Sequence, residues 1–335
     1  MTMHKQDEYA FPCAVVRSNE NNILSKADMA KVLDAKDIGA VMNILGEFGY
    51  GTEKQARANW DFESSLRAEM TRVYELLFSV APDKKELSLF LLPSDYHNVK
   101  VSLKSEFLGI NPAPYLVAGG NLSPEEIGEL VRERNFPFMS KEMAEAVNEI
   151  LESFAKSKDP QEIDIMLDRA CYSEMERLAG ETERPFIIGY VKLLVDLMNI
   201  TTFIRLREIQ KPWAFFQKVF LPGGNMDQHV FTTAYEEGYQ QFADRMIPYG
   251  YRDIFAKGAV EVHNTGKYTL LEKLCDDKRM SYVSDARYVS FGVEPLIGYM
   301  VAKETENKNL RIILSGKMAG TPEDVIKERL RDTYV

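Results

Sequence analysis

Three acidic residues stand three positions ahead of an asparagine: Asp95 before Asn98, Asp196 before Asn199 and Glu306 before Asn309. Carboxylates that converge on one pocket can act as general acid and base or hold a cation. Acids repeated on separate segments more often do one structural job three times. Nucleotide binding calls for GxxxxGK followed by Ser or Thr, so that backbone amides and a lysine cradle phosphate. Gly266-Lys267 has Glu261 at the required glycine and Tyr268 at the hydroxyl position, and Gly316-Lys317 has Arg311 and Met318 there. Both fail twice. His4, His97, His229 and His263 show no HxxxH or HExxH spacing for a metal. Asp276-Asp277 runs into Lys278 and Arg279 and lacks the third acid of an aspartate-rich Mg²⁺ motif, so it reads as a solvated charge run. Cys13, Cys171 and Cys275 are far apart without a CxxC pair, which predicts buried free thiols. The sequence therefore predicts no catalytic residue, no cofactor and no metal ligand.

The elements that would position these residues read as helices. The chain has 335 residues, 45 % of them hydrophobic, enough for two or three domains. Its net charge of −10 argues against a nucleic-acid partner, which needs excess Lys and Arg. The N-terminus, Met1 to Asp7, is polar and has no apolar signal core. The most apolar stretch, Phe186 to Ile209, carries Lys192, Asp196, Arg205, Arg207 and Glu208, too many charges for a lipid-facing span. No direct membrane span is expected. Ser123-Pro-Glu-Glu126, Asp159-Pro-Gln-Glu162 and Thr321-Pro-Glu-Asp324 each combine a capping side chain, a proline where its missing N–H costs nothing, and an early carboxylate. Helical spacing follows, as in Ile163, Met166, Leu167 and Ala170. No strong strand-like alternation stands out; the nearest candidate, Val99 to Leu103, lies inside a longer helical pattern. The aromatic group Trp213, Phe215, Phe216 and Phe220 reads as core packing after the break at Lys211-Pro212. The predicted fold is all-α.

Repeats order these helices. Similar polar loops recur about every hundred residues: Asn21-Asn-Ile-Leu-Ser25, Gly119-Gly-Asn-Leu-Ser123 and Gly223-Gly-Asn-Met-Asp227. In step with them recurs a helix bearing an acid, two residues, Asn, an aliphatic and often a base. The copies are Asp95-Tyr-His-Asn-Val-Lys100, Asp196-Leu-Met-Asn-Ile-Thr201 and Glu306-Asn-Lys-Asn-Leu-Arg311. The acid and Asn share one helix face, so the helix buries an apolar stripe and keeps a polar patch for a neighbouring backbone. The structural polar residues of the repeat are then Asp95, Asn98, Lys100, Asp196, Asn199, Arg205, Glu306, Asn309 and Arg311. Three related helical modules are expected, at 1–118 (with C-terminal contacts), 119–222 and 223–335.

The C-terminal third is the most distinctive. The turn Gly292 to Pro295, the tripeptide Ala302 to Glu304, the run Asn309 to Ile313 and the ending Gly320 to Leu330 followed by Tyr334-Val335 resemble a known signature. It is that of the family formed by the C subunit of A-type ATP synthases and the d subunit of V-type ATPases. Asp159 to Met175, Asp61 to Leu66 and Tyr9 to Arg17 are similar to other parts of that family, while Leu92-Pro-Ser-Asp95 departs from its usual Tyr-Asp start. The resemblance implies three helical bundles around a pseudo-threefold axis, forming a funnel. It implies a non-catalytic central-stalk component, peripheral on the cytoplasmic side of a membrane complex. Its partners would be the axle subunits and the proteolipid ring. The alternative is a generic helical-repeat adaptor, which would form an open superhelix.

Overall fold

The computed structural model describes residues 7–51, 61–232 and 235–335. The polar stretch before Asp7, with His4, lies outside them. Every regular element among the described residues is helical. In chain order the N-terminal part supplies α1 (Ala10–Glu20), α2 (Lys26–Asp34), α3 (Ile38–Glu47) and α4 (Phe62–Val80). A central stretch follows with α5 (Leu92–Leu108), α6 (Pro124–Glu133), α7 (Lys141–Ser157), α8 (Pro160–Glu181), α9 (Pro185–Glu208) and α10 (Trp213–Val219). The chain ends with α11 (Tyr239–Arg245), a π-helical stretch Ile254–Ala259, α12 (Val260–Thr265), α13 (Thr269–Ser284), α14 (Glu294–Met318) and α15 (Glu323–Arg329). Val99 to Leu103 lies within α5, as its surroundings predict.

The chain divides into two compact units, one joining Met1–Pro82 with Glu237–Val335 and the other spanning Asp83–Glu236. In the first, α2 and α3 pack their apolar faces around the last turns of α14. Leu24, Met29, Val32, Val41 and Leu45 bury against Leu310, Ile313, Leu314 and Ile326. Each such side chain contributes about 1.5–3 kcal/mol of transfer free energy. In the second unit α8 packs along α7 and also touches α5 and α9. Phe203, Phe216 and Phe231 meet at centroid distances of 5.2–5.4 Å, with Trp213 5.4 Å from Phe216. Of the aromatic group after Pro212, Phe216 is core, while Trp213, Phe215 and Phe220 are half-buried around it. Cys13, Cys171 and Cys275 form no disulfide with one another and are buried.

By length and composition α9 is the one described helix that could cross a bilayer. Most of that apolar window is buried against protein. Ile187, Val191, Val195, Ile200 and Phe203 are core residues of the second unit, and Asp196 and Asn199 are buried between them.

The caps follow their chemistry with one exception. Ser123 and Glu126 form a reciprocal capping box, with bonds of 3.2 and 2.7 Å. Asp159 accepts the Gln161 amide at 3.0 Å. At the third proline, α15 starts one residue late because Pro322 is extended, at φ −54° and ψ 143°. The Thr321 amide instead closes α14 by donating to the Gly316 carbonyl at 2.9 Å. Ser123→Ala is expected to lower stability by about 1 kcal/mol, and Thr321→Ala by less than about 0.5 kcal/mol. Denaturant unfolding of the two variants checks the contrast.

Candidate functional site

The acid–Asn pairs of the repeat lie in the first two turns of α5 and in the interiors of α9 and α14, buried where an unpartnered polar group costs about 1–3 kcal/mol. Asp95, Asn98, Asp196, Asn199, Glu306 and Asn309 are each no more than 3 % exposed. Each finds its partners on passing backbone.

The asparagine works identically in all three copies. Asn98 donates to the Val117 carbonyl at 2.8 Å and accepts the Val117 amide at 2.9 Å. Asn199 treats Leu221 the same way, at 2.8 and 2.9 Å. Asn309 does so with Arg331, at 3.1 and 2.8 Å. A carboxamide offers one acceptor and a two-hydrogen donor side by side, so it pairs with one residue's N–H and C=O as a neighbouring strand would.

The acid, one helical turn earlier, takes the loop that leads into the next helix. Asp95 accepts the Asn121 and Leu122 amides at 3.1 and 3.2 Å and the Asn121 side chain at 2.7 Å. Asp196 accepts the Asn225 and Met226 amides at 2.9 and 3.0 Å and the Asn225 side chain at 2.8 Å. Burial pushes the Asp95 carboxyl above its ordinary value, while these donors pull it back down. The segments 117–122 and 221–226 are thus straps running antiparallel to their helices. Their second glycines make room for the carboxylate: a Cβ on Gly120 would lie 2.1 Å from Asp95 Oδ1, and one on Gly224 would lie 2.3 Å from Asp196 Oδ1.

The third copy builds its strap from two distant segments. Arg331 faces Asn309, and the Leu24 amide donates to Glu306 Oε2 at 2.5 Å across 282 positions. Ile23 stands where the other loops carry Asn, so the second Glu306 oxygen finds other donors. Tyr50 donates to Glu306 Oε1 at 2.5 Å, and Lys303 Nζ bonds the same oxygen. Lys303 also pairs with Glu69 Oε1 at 2.9 Å, and Arg72 takes the other Glu69 oxygen at 2.6 Å. Lys303 is 1 % exposed. Burial, and then the charges of Glu306 and Glu69, hold the Tyr50 hydroxyl far above its ordinary value. None of the motifs read from the sequence includes Tyr50, Glu69 or Lys303 in such a cluster. The usable signal was a lysine interrupting the apolar run from Leu296 to Ala302.

The accompanying cations divide. Lys100 Nζ pairs with Asp168 on α8 at 2.5 Å. Arg311 grips Glu63 on α4 with bonds of 2.7 and 3.0 Å. Thr201, at the corresponding place on α9, bonds back to the Leu197 carbonyl. Arg205 lies farther along, exposed in the last turn of α9 and outside the acid–Asn site. Among the described residues no group of three His, Cys, Asp or Glu is placed to hold a metal ion.

Residues 12–329 match the family described as ATP synthase (C/AC39) subunit. The chain is 24 % identical over 320 residues to the C subunit of the V-type sodium ATPase of Enterococcus hirae, covering 96 % of this chain and 97 % of that protein. It is 21 % identical to the C subunit of the A-type ATP synthase of Methanocaldococcus jannaschii, covering 96 % and 86 %. The A-type ATP synthase C subunit of Methanosarcina acetivorans is 23 % identical, at 96 % and 92 % coverage.

The clamp predicts a graded response to mutation. Asn199→Ala leaves the buried Leu221 amide and carbonyl without partners and is expected to cost about 3 kcal/mol. Arg205→Ala, on the exposed last turn, should cost less than about 1 kcal/mol. Gly224→Ala should displace Asp196 and cost about 1–3 kcal/mol. Lys303→Met takes from Glu69 and Glu306 the buried cation they share, and removing one partner of such a cluster costs about 3–5 kcal/mol. Equilibrium unfolding of the four variants gives the ranking.

Proposed function

The chain belongs to the ATP synthase (C/AC39) subunit family, and from that premise we propose that it is the non-catalytic central-stalk component of a V/A-type rotary ATPase. It is a subunit of a membrane-associated ATPase complex, held peripherally. In this role it is the socket between the axle subunits and the cytoplasmic face of the proteolipid ring, and it passes torque between them. Three modules, 1–118, 119–222 and 223–335, stand around a pseudo-threefold axis and leave a funnel that receives the axle.

The observation that carries this reading is the thrice-repeated clamp at Asn98, Asn199 and Asn309. A chain that builds the same strapped helix three times is suited to closing around an axis. A rotor coupling must also resist twist, and buried two-bond clamps within close-packed helices resist local shear. The repeat acids fit a structural role as well, since strap or neighbouring donors occupy each one.

Immobilised full-length chain is expected to retain purified axle subunits at about 0.15 M salt and to hydrolyse ATP no faster than a buffer blank. Recovery of no axle subunit would falsify the socket role. ATP turnover that persists through purification would overturn the non-catalytic assignment.

A further inference from the structure

Helix α7 carries four glutamates, Glu142, Glu145, Glu149 and Glu152, spaced three, four and three residues apart. That spacing draws them into one stripe about three turns long. The stripe edges an open groove of about 440 Å³ between α7 and α8, whose apolar lining is Ala146, Ile165, Met166 and Ala170. The groove runs on past Ser153 and Glu162 to Glu152 and Lys156.

The charges on its two sides are in different states. Glu142 is held by Arg177 at 2.5 Å. Among the described residues Glu145 has only Lys141, at 4.0 Å, both side chains being more than two-thirds exposed. Glu149 and Glu152 form no ion pair among the described residues. Across the groove the cations are engaged: Arg169 donates to the Lys218 and Phe220 carbonyls, and Lys218 lies 3.6 Å from Glu162. The groove therefore presents net negative charge along one wall, with Lys156 at its far end, beside a partly exposed apolar strip of Ile165, Met166 and Ala170.

We infer that this groove receives an α-helix of a partner chain, with basic residues at three–four spacing along one edge and aliphatic residues beside them. The spacing chooses the occupant. Carboxylates three or four residues apart on a helix are about 4.5–6 Å apart along its axis, which matches a helix laid alongside and mismatches the two-residue period of a strand. Ala146 and Ala170 are small enough for two helix axes to approach to about 8–10 Å. Nucleic acid is repelled by the stripe. The surface lies wholly within the unit 83–236 and does not depend on the chain's place in a rotary complex.

The probe is a labelled helical peptide of 17 residues, the length of α7, with lysines at three–four spacing and leucines beside them. It is titrated into the full-length chain at about 0.15 M salt and followed by fluorescence anisotropy. Glu145→Lys combined with Glu149→Lys should weaken binding about tenfold or more, because both side chains are exposed and their reversal leaves the core intact. The control, Glu323→Lys with Asp324→Lys on α15, makes the same change in net charge elsewhere and should bind as the parent does. A peptide with glutamates in place of lysines should not bind. No binding by the parent, or equal loss in the two charge-reversed proteins, overturns the inference. Axle retention alongside a failed peptide titration would sink this inference alone and leave the socket role standing.

Discussion

A carboxylate and a carboxamide one turn apart on the buried face of a helix must be hydrogen-bonded, or they would cost more than the helix gains by burying its neighbours. In α5 and α9 the requirement is met by one chain segment that doubles back along the helix. The asparagine takes one strap residue by both backbone groups, and the acid takes the amides four and five residues farther on. Much else follows from this arrangement. The strap's second glycine must lack a Cβ. The next helix must begin where the acid lets go of the loop, and Ser123 caps α6 directly after Leu122. The polar pair thus fixes the register between a long helix and the connection that leaves it.

The third copy shows what happens when the same demand is met with different parts. Glu306 is one methylene longer than its counterparts, and Ile23 withdraws the side-chain donor that Asn121 and Asn225 supply. A buried lysine and a tyrosine take its place as donors, and a second glutamate, Glu69, pairs with that lysine. Two carboxylates face Lys303 and the half-solvated Arg72, so charge balances locally. That balance allows a lysine only 1 % exposed to stay in the interior.

Local chemistry in the sequence revealed much of this. Capping residues and apolar spacing reveal the helices, and the acid–Asn spacing reveals a polar patch meant for neighbouring backbone. Two features were legible only in part. The glycine pairs at 119–120 and 223–224 read as helix-leading loops, whereas Gly120 and Gly224 also clear space for a carboxylate from a helix about 25–28 residues earlier. Thr321 has a cap's sequence context, but Pro322 is extended and takes the N-cap position itself, leaving Thr321 one residue outside the helix. The Lys303 cluster was hidden for a different reason. Tyr50 and Lys303 are 253 positions apart, and no periodicity in either segment points to the other.

The split third strap has a consequence for the order of assembly. Asp95 closes a loop of 26 residues on Asn121, while Glu306 closes one of 282 on Leu24. Loop-closure entropy grows with the logarithm of length, so this difference costs the third closure about 2 kcal/mol more. Timing separates the copies further. On a ribosome the straps of α5 and α9 have their partners within reach soon after each helix emerges. The Leu24 loop must wait until α14 has been made. Until then the apolar faces of α2 and α3 lack the α14 side chains that cover them. The same wait applies to α4, which packs along α14, so the apolar faces of the N-terminal helices α2, α3 and α4 stay uncovered until the end of synthesis.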